Sequence, residues 1–183
     1  KPLIVVALES EYKNPEVDIL YTGVGKVNAL VSLANNIEKF GPPSLIINYG
    51  TAGTVNKKHK GLVEVDVILQ RDMIAEPQAP RGVTPFDKDE VAGAMMLNSN
   101  TDVTLGTGDS FVQEPDPWFE YASVDIVDME AYALAKFAKI KKIPFRCFKY
   151  VTDFADENAM ENWTKNVSDG QDSFNEKLHD IMN

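Results

Sequence analysis

The sequence predicts a single α/β domain spanning residues 1–183, in which helices alternate with short buried strands around a central sheet. Hydrophobic residues make up 44% of the 183 residues, which is sufficient for one substantial core. Apolar runs of strand length alternate with segments of helical periodicity. We find no repeat, low-complexity tract or linker that would divide the chain, and this favours one layered domain.

The first third of the chain predicts strand, helix, strand. The apolar run Leu3–Leu8 is typical of a buried strand. The segment Lys26–Phe40 carries apolar residues at helical spacing, and the run Gly41-Pro42-Pro43 ends that helix. A second buried strand is predicted over Ser44–Tyr49, followed by a loop of small residues, Gly50-Thr51-Ala52-Gly53.

The middle of the chain has weaker periodicity. Apolar and polar residues alternate over Leu62–Gln70, which predicts one half-exposed strand. Residues 71–100 contain several prolines and are predicted as a long loop with one helical turn near Val91–Leu97; such loops are often functional. The segment Asp102–Leu105 predicts another strand, which ends in Gly106-Thr107-Gly108-Asp109.

The last third predicts helix, central strand, helix. A helix begins at Ala131, because Ala131, Leu134, Ala135 and Ala138 form an apolar stripe. The run Phe145–Val151 predicts a central strand. A C-terminal amphipathic helix is indicated by four apolar residues at helical spacing: Val167, Phe174, Leu178 and Ile181.

Charge and cysteine content narrow the possible functions. The net charge of −10 and the pI near 4.7 disfavour binding to nucleic acid or to an anionic membrane surface, whereas a small nucleoside meets no such repulsion. No apolar run approaches the ~20 residues that a membrane-spanning helix needs. The single cysteine, Cys147, excludes a disulfide framework and predicts an intracellular, cytoplasmic protein.

Acidic residues recur where apolar runs stop, most clearly in Val127-Asp128-Met129-Glu130-Ala131 and Val151-Thr152-Asp153-Phe154-Ala155-Asp156. Ligands of open α/β sheets bind beyond the carboxyl ends of the strands. The residues predicted at those ends form a polar pocket with an aromatic wall: Glu9, Glu11, Gly50 to Gly53, Gly108, Asp109, Phe111, Glu130 and Asp153. The alternative is that each acid caps a helix or lies in a solvated loop.

Six segments in register resemble the 5′-methylthioadenosine/S-adenosylhomocysteine nucleosidases of the nucleoside phosphorylase superfamily. They are Ala7 to Glu11, Thr22 to Asn28, Asn48 to Gly53, Thr107 to Val112, Val127 to Ala131 and Thr152 to Asp156. The resemblance implies a three-layer α/β/α fold with a central mixed, twisted sheet. It also implies cleavage of the N-glycosidic bond of a purine ribonucleoside, and a homodimer.

The resemblance assigns roles to particular residues. Asp153 is similar to the general acid that protonates the purine at N7, and Glu11 to the group that activates water. Glu130 matches the carboxylate that binds the ribose hydroxyls. Further residues match the family's substrate contacts: Met129 under the sugar, Phe111 stacked on the base, Val112 at the adenine edge through its backbone, and Ala52, Gly53 and Asp128 around them. Thr51 and Thr152, also predicted to bind substrate, stand where the family usually has serines near the water and the acid. Trp163 falls near the family aromatic that closes the pocket for the 5′ substituent; the alternative is a core tryptophan that anchors the last helix. One acid for the leaving group and one carboxylate for water suit glycoside hydrolysis.

Three functions remain open at this stage. Phosphorolysis needs a cationic cradle, but the chain has only Arg71, Arg81 and Arg146, and Asn48 stands where phosphorylases tend to carry arginine. Lys149, where the family commonly has arginine, would hold phosphate weakly. We therefore favour hydrolysis over a phosphate-dependent phosphorylase. The third reading is a nucleoside-binding relative without turnover.

Neither a cofactor nor a metal is expected. The segment Gly23-Val24-Gly25 lacks the full dinucleotide fingerprint, and His59 and His179 have no metal-ligand spacing. The segment between Glu11 and Gly23 is shorter than in the family, and the stretch from Glu76 to Phe86 does not match it. The group that the substrate carries at C5′ is therefore left unassigned by the resemblance.

Overall fold

The computed structural model describes residues 1–88 and 93–183 and contains one mixed sheet with helices on both faces. The strands are β1 (Leu3–Val6), β2 (Ile19–Tyr21), β3 (Ile46–Thr54), β4 (Leu62–Glu64), β5 (Val67–Gln70), β6 (Ala94–Met96), β7 (Thr104–Thr107), β8 (Ile126–Asp128) and β9 (Phe145–Asp153). The helices are α1 (Lys26–Phe40), α2 (Pro117–Tyr121), α3 (Ala131–Lys141), α4 (Ala159–Asn166) and α5 (Gln171–Met182).

The long strand β3 organises the sheet. Its first half lies between the parallel strands β1 and β9, and its last residues pair with β8 in antiparallel register, Gly53 opposite Val127. The main path runs β2-β1-β3-β8-β7-β5-β6, while β9 carries the antiparallel strand β4 on its other side. Strands of opposite direction therefore meet beside the second half of β3.

Alternating side chains along β1 and β3 separate two cores. Val5 and Ile46 face α1 and α3, in a cluster with Leu33 and Leu134. The residues between them face α5, where Ile4, Val6, Ile47 and Tyr49 pack with Phe174 and Leu178. Because helices cover both faces, the predicted three-layer α/β/α arrangement with a mixed sheet is confirmed.

Several predictions of individual elements are confirmed. The helix bounds Lys26–Phe40 agree with the prediction, and the stripe of α3 (Ala131, Leu134, Ala135 and Ala138) is buried as expected. In α1, however, the buried residues are Ala29 and Leu33, whereas Val27 and Val31 are 71% and 52% exposed. An apolar face of α1 is thus left without cover in the single chain.

Other predictions were wrong in detail. The small residues Gly50 to Gly53 belong to β3 and do not form a loop. The predicted strand Leu62–Gln70 divides into β4 and β5, because the chain turns at Val65 and Asp66 to pair first with β9 and then with β7. The predicted helical turn near Val91–Leu97 is replaced over Ala94–Met96 by β6, an edge strand with Met95 buried; Val91 lies outside the described residues.

Three elements were missed. Strand β2 is only three residues long, and its residues are half-buried at the sheet edge. Helix α2 is a single turn that begins with Pro117, with Asp116 capping Trp118 N–H. The C-terminal segment contains two helices, because α4 ends near Val167 and α5 begins at Gln171, so Val167 does not belong to the last helix.

Candidate active site

One cavity of about 290 Å³ lies beside the second half of β3. The residues to which the resemblance assigned a role line it, except Thr152: Glu11, Thr51, Ala52, Gly53, Phe111, Val112, Asp128, Met129, Glu130, Asp153 and Trp163. Four other residues predicted at the strand ends do not line it: Glu9, Gly50, Gly108 and Asp109. Its remaining walls, which the sequence did not predict, are Ala7, Leu8, Val24, Arg71, Ser110, Val127 and Met160. The structure thus brings Glu11, Glu130 and Asp153 together from distant parts of the chain.

Glu11 stands in the turn after β1, and its side chain is held from both sides. Leu8 N–H donates to Oε1 at 3.1 Å, while Oε2 accepts from the backbone N–H and the hydroxyl of Thr51, each at 2.8 Å. The residue is 4% exposed. Three donors therefore fix one orientation of a buried carboxylate at the cavity wall.

Asp153 is the last residue of β9, and both of its carboxyl oxygens accept hydrogen bonds from neighbouring residues. Oδ2 accepts from Ala155 N–H at 3.0 Å, and Oδ1 accepts from the Thr152 hydroxyl at 2.8 Å. Burial raises the pKa of Asp153, these two hydrogen bonds oppose the rise, and the charge of Asp156 adds to it. The net direction is upward, which favours a protonated acid.

Thr152 itself lies behind the cavity wall. Its hydroxyl is buried and contacts Asp153 and, at 3.4 Å, the carbonyl of Ala52. Its place is therefore beside the acid, where the resemblance also put it, and any contact with the ligand would pass through Asp153.

Glu130 lies between β8 and α3, facing the N-terminus of α1. Gly25 N–H donates to its Oε2 at 2.8 Å. Burial, together with the negative charge of Asp128, raises the pKa of Glu130 to about 8. At neutral pH this carboxyl group is mostly protonated, so it can both donate to and accept from a hydroxyl ligand.

Lys149 forms an ion pair with Asp128, which lines the cavity. Lys149 Nζ lies 3.0 Å from Asp128 Oδ2, and each side chain is 1% exposed. Asp128 also accepts from the Thr107 hydroxyl and from Ala131 N–H. The side chain of Asp128 therefore already has partners within the protein, and its contact with substrate stays a prediction.

Two glycines of β3 make room for these charged groups. A Cβ atom on Gly50 would lie 2.9 Å from Lys149 Nζ, and one on Gly53 would lie 2.7 Å from Asp153 Oδ2. Real Cβ atoms do not approach so closely. The small residues of the motif are thus needed because the acid and the lysine pass against the strand backbone.

Arg71 is the main residue that the sequence interpretation missed. It follows β5, is 4% exposed, and donates to the carbonyls of Gly106, Gly108, Ser110 and Asp128 and to the Ser110 hydroxyl. It thereby fixes the loop that leads to Phe111. The rule applied to the acids, that strand ends converge, would have found it because Arg71 directly follows a predicted strand.

The amino-acid sequence is similar to those of known proteins. A sequence model of the phosphorylase superfamily matches residues 6–183. The 5′-methylthioadenosine/S-adenosylhomocysteine nucleosidase of Buchnera aphidicola subsp. Schizaphis graminum is 30% identical over 176 residues, covering 85% of this chain and 74% of the relative. The chain belongs to this nucleosidase family, within the phosphorylase superfamily. The Bacillus subtilis (strain 168) nucleosidase is 27% identical over 172 residues, covering 81% of this chain and 73% of the relative.

Solved structures of nucleosidases share the fold. A mutant of Helicobacter pylori MTAN with 5′-methylthioadenosine in the active site superimposes with a TM-score of 0.83 at 17% identity, covering 99% of this chain and 98% of the other. Futalosine hydrolase of the same organism gives a TM-score of 0.79 at 18% identity, covering 92% and 91%. At these identities the likeness establishes the architecture alone.

Proposed function

We propose that this member of the nucleosidase family hydrolyses the N-glycosidic bond of a purine ribonucleoside of the 5′-methylthioadenosine or S-adenosylhomocysteine type and releases adenine. The observation that carries the proposal is the convergence of Glu11, Glu130 and Asp153 on one cavity. The family supplies the reaction class, and the residues supply an acid, a carboxylate for water and a group for the sugar.

Asp153 acts as the general acid. As the bond between C1′ and the purine breaks, electrons flow into the base, and a proton delivered to N7 neutralises the leaving group. The raised pKa of Asp153 supports this role, because a carboxyl group must stay protonated near neutral pH to give up a proton there. Such assistance is typically worth ~10²–10⁴-fold in rate.

Glu11 orients and deprotonates the attacking water. Both of its oxygens accept hydrogen bonds from the protein, which hold the side chain in one position at the cavity wall. Water adds at C1′ as the purine departs, so the oxygen of water becomes the anomeric hydroxyl and its proton passes to Glu11.

The other residues position the substrate. Glu130 binds the ribose hydroxyls, with Met129 against the sugar. Phe111 stacks on the purine, and the backbone of Val112 contacts the adenine edge. This positioning is supported by the shared cavity wall, to which all four residues contribute.

Water is favoured over phosphate because the arginines are already committed. Arg71 donates to five protein acceptors, Arg81 donates to the Arg71 carbonyl and pairs with Asp116, and Arg146 makes a bidentate pair with Glu64. Within residues 1–88 and 93–183, the cavity wall has Arg71 as its one cationic residue. Lys149 is paired with Asp128. A dianion would therefore have to displace existing partners.

The wall beyond the ribose favours an apolar group at C5′. Met160 and Trp163 from α4 and Val24 before α1 line this cavity with Leu8. Thioether sulfur and aromatic rings attract each other by dispersion, and an apolar wall lacks donors for a plain 5′-hydroxyl. This supports methylthio or homocysteinyl substituents over adenosine.

One assay tests the proposal. The purified protein is incubated with 5′-methylthioadenosine, S-adenosylhomocysteine, adenosine or inosine, with and without phosphate, and free base is measured. We expect adenine from the first two without phosphate. Release only with phosphate would establish a phosphorylase, and binding without cleavage a binding protein. Asp153→Asn should abolish turnover and leave nucleoside binding largely intact; normal turnover would remove the proposed acid.

We also propose a homodimer. The exposed apolar residues Val27, Leu30 and Val31 lie in the first half of α1, and the exposed Val24, just before this helix, lines the cavity. A second copy of the chain covering this face would remove apolar surface from water next to the site.

We further propose a role in methionine salvage, which follows from the family, and a location in the cytoplasm. The location is supported by the buried thiol of Cys147, which requires no oxidising compartment. Cell fractionation tests the location. Among the described residues, no helix is long and apolar enough to cross a bilayer.

A further inference from the structure

Trp163 makes a hydrogen bond in addition to lining the cavity with its ring. Its indole Nε1–H donates to the Thr51 hydroxyl oxygen at 2.9 Å. The Thr51 hydroxyl in turn donates to Glu11 Oε2 at 2.8 Å. The three side chains form a continuous line of hydrogen bonds from α4, through β3, to the carboxylate that activates water under the proposed function.

The direction of this line is fixed by the chemistry of its first member. An indole N–H can only donate, so the Thr51 oxygen must accept from it. A hydroxyl has one proton, and with Trp163 as donor that proton is free to point at Glu11. Without the indole, the hydroxyl could rotate and donate elsewhere.

The supports at both ends are rigid. Helix α4 is attached to the sheet by the fully buried Ala159 and by Asn166, whose side chain donates to the Thr152 carbonyl at 2.9 Å. Thr51 is held within β3, opposite Tyr150 of β9. The line of hydrogen bonds therefore begins on one fixed element, α4, and passes through another, β3. Because both are fixed, the line can hold the Glu11 carboxylate in one orientation.

We propose that the Trp163 indole N–H is a positioning group for Glu11, acting through the Thr51 hydroxyl. This inference rests on the proposed function. Trp163 then has two roles. Its ring lines the cavity, and its N–H polarises and orients the Thr51 hydroxyl, which donates to Glu11. Adjacent hydrogen bonds strengthen one another, so Glu11 is held more firmly than by Thr51 alone.

The test is the variant Trp163→Phe, which keeps an apolar ring and removes the N–H. We expect kcat to fall by ~3- to 10-fold, the loss typical of one hydrogen bond, while KM changes by less than about twofold. A higher KM with unchanged kcat would make Trp163 a wall residue only and overturn the proposal. Trp118→Phe is the matched control at the chain's other tryptophan, which packs on Arg81 outside the cavity wall and should leave kcat unchanged.

A double-mutant cycle separates positioning from packing. Thr51→Val removes the middle hydroxyl at nearly equal volume and should lower kcat at least as much as Trp163→Phe. Thr51→Ser keeps the hydroxyl and should retain most of the activity. In the Thr51→Val background, Trp163→Phe should cause no further loss of kcat; multiplied losses would overturn the proposal. The Thr51 pair also supplies the test should Trp163→Phe fail to fold.

The wild-type protein separates this inference from the function on which it depends. If wild type releases no adenine without phosphate, the proposed function fails. If wild type is active and Trp163→Phe has the same kcat, the function stands and the positioning role is refuted.

Discussion

Replacing Lys149 by Met should strongly destabilise the protein. Lys149 Nζ and Asp128 Oδ2 are 3.0 Å apart, and both side chains are 1% exposed. Burial alone would lower the pKa of Lys149, but the charge of Asp128 outweighs it and the net shift is upward. The lysine is therefore charged in the folded protein, and removing it leaves a buried carboxylate without its counter-charge.

The magnitude can be worked from this distance. At an effective dielectric constant of about 20, two unit charges 3.0 Å apart attract by roughly 5 kcal/mol. Breaking a buried pair at one end typically costs ~3–5 kcal/mol. Adding Asp128→Asn to Lys149→Met removes the unpaired negative charge. The double variant Asp128→Asn/Lys149→Met should therefore recover part of the stability that Lys149→Met loses.

Urea unfolding followed by circular dichroism measures the effect. We expect the free energy of unfolding of Lys149→Met to be ~3 kcal/mol lower than that of wild type, as a lower urea midpoint with an unchanged slope. The control Lys60→Met makes the same chemical change at an exposed loop residue and should alter stability by less than ~0.5 kcal/mol. A loss below ~1 kcal/mol for Lys149→Met, or strict additivity with Asp128→Asn, would refute the reasoning.

Three further perturbations are expected to have defined outcomes. Asp156→Asn removes a charge that raises the pKa of Asp153, so the alkaline limb of the kcat profile should move to lower pH, with a greater loss at pH 8 than at pH 6; an unmoved limb would contradict this. Burial and the charge of Asp128 raise the pKa of Glu130 from the ordinary 4.5 to about 8. The folded state therefore keeps a proton that the unfolded chain releases above pH 4.5. The contribution of Glu130 to the free energy of unfolding is full below pH 4.5 and is lost as the pH rises towards 8. Glu130→Gln should therefore gain roughly 2 kcal/mol relative to wild type between pH 5 and pH 7 in urea unfolding, and a constant difference would count against the raised pKa. Val31→Glu places a charge on the exposed face of α1 and should shift sedimentation velocity to the monomer; a dimer that persists would place the interface elsewhere.

The cavity could be anticipated from the sequence because its carboxylates stand at strand ends. Glu130 and Asp153 each follow an apolar run, and the pleat and length of a strand bring such residues to the sheet edge. The order of motifs identified the reaction class. Patterns of this kind extend over only a few consecutive residues, so they can be recognised without knowledge of the tertiary structure.

The parts that failed depend on pairing between distant segments. The alternating pattern of Leu62–Gln70 does not predict that its first half pairs with β9 and its second half with β7. The extension of β3 through Gly50 to Gly53 is stabilised by β8 and β9, whereas the sequence of small residues alone is typical of a loop. Tertiary pairing overrides local propensity in both cases.

The place of Arg71 at a strand end could have been predicted, but the hydrogen-bond partners of the side chains inside the site could not. Arg71 looks like an ordinary cation after a strand, yet it organises the Phe111 loop through carbonyls of residues 35 to 57 positions away. The link from Trp163 to Thr51 spans 112 residues. Such contacts depend on side-chain geometry that no short-range pattern records.

The central claim is that water attacks the sugar while Asp153 protonates the purine. The most direct test is the mass of the sugar produced when the protein cleaves 5′-methylthioadenosine in phosphate buffer. Our account predicts free methylthioribose even at high phosphate concentration. A methylthioribose 1-phosphate product would contradict it, because phosphate would then be the nucleophile.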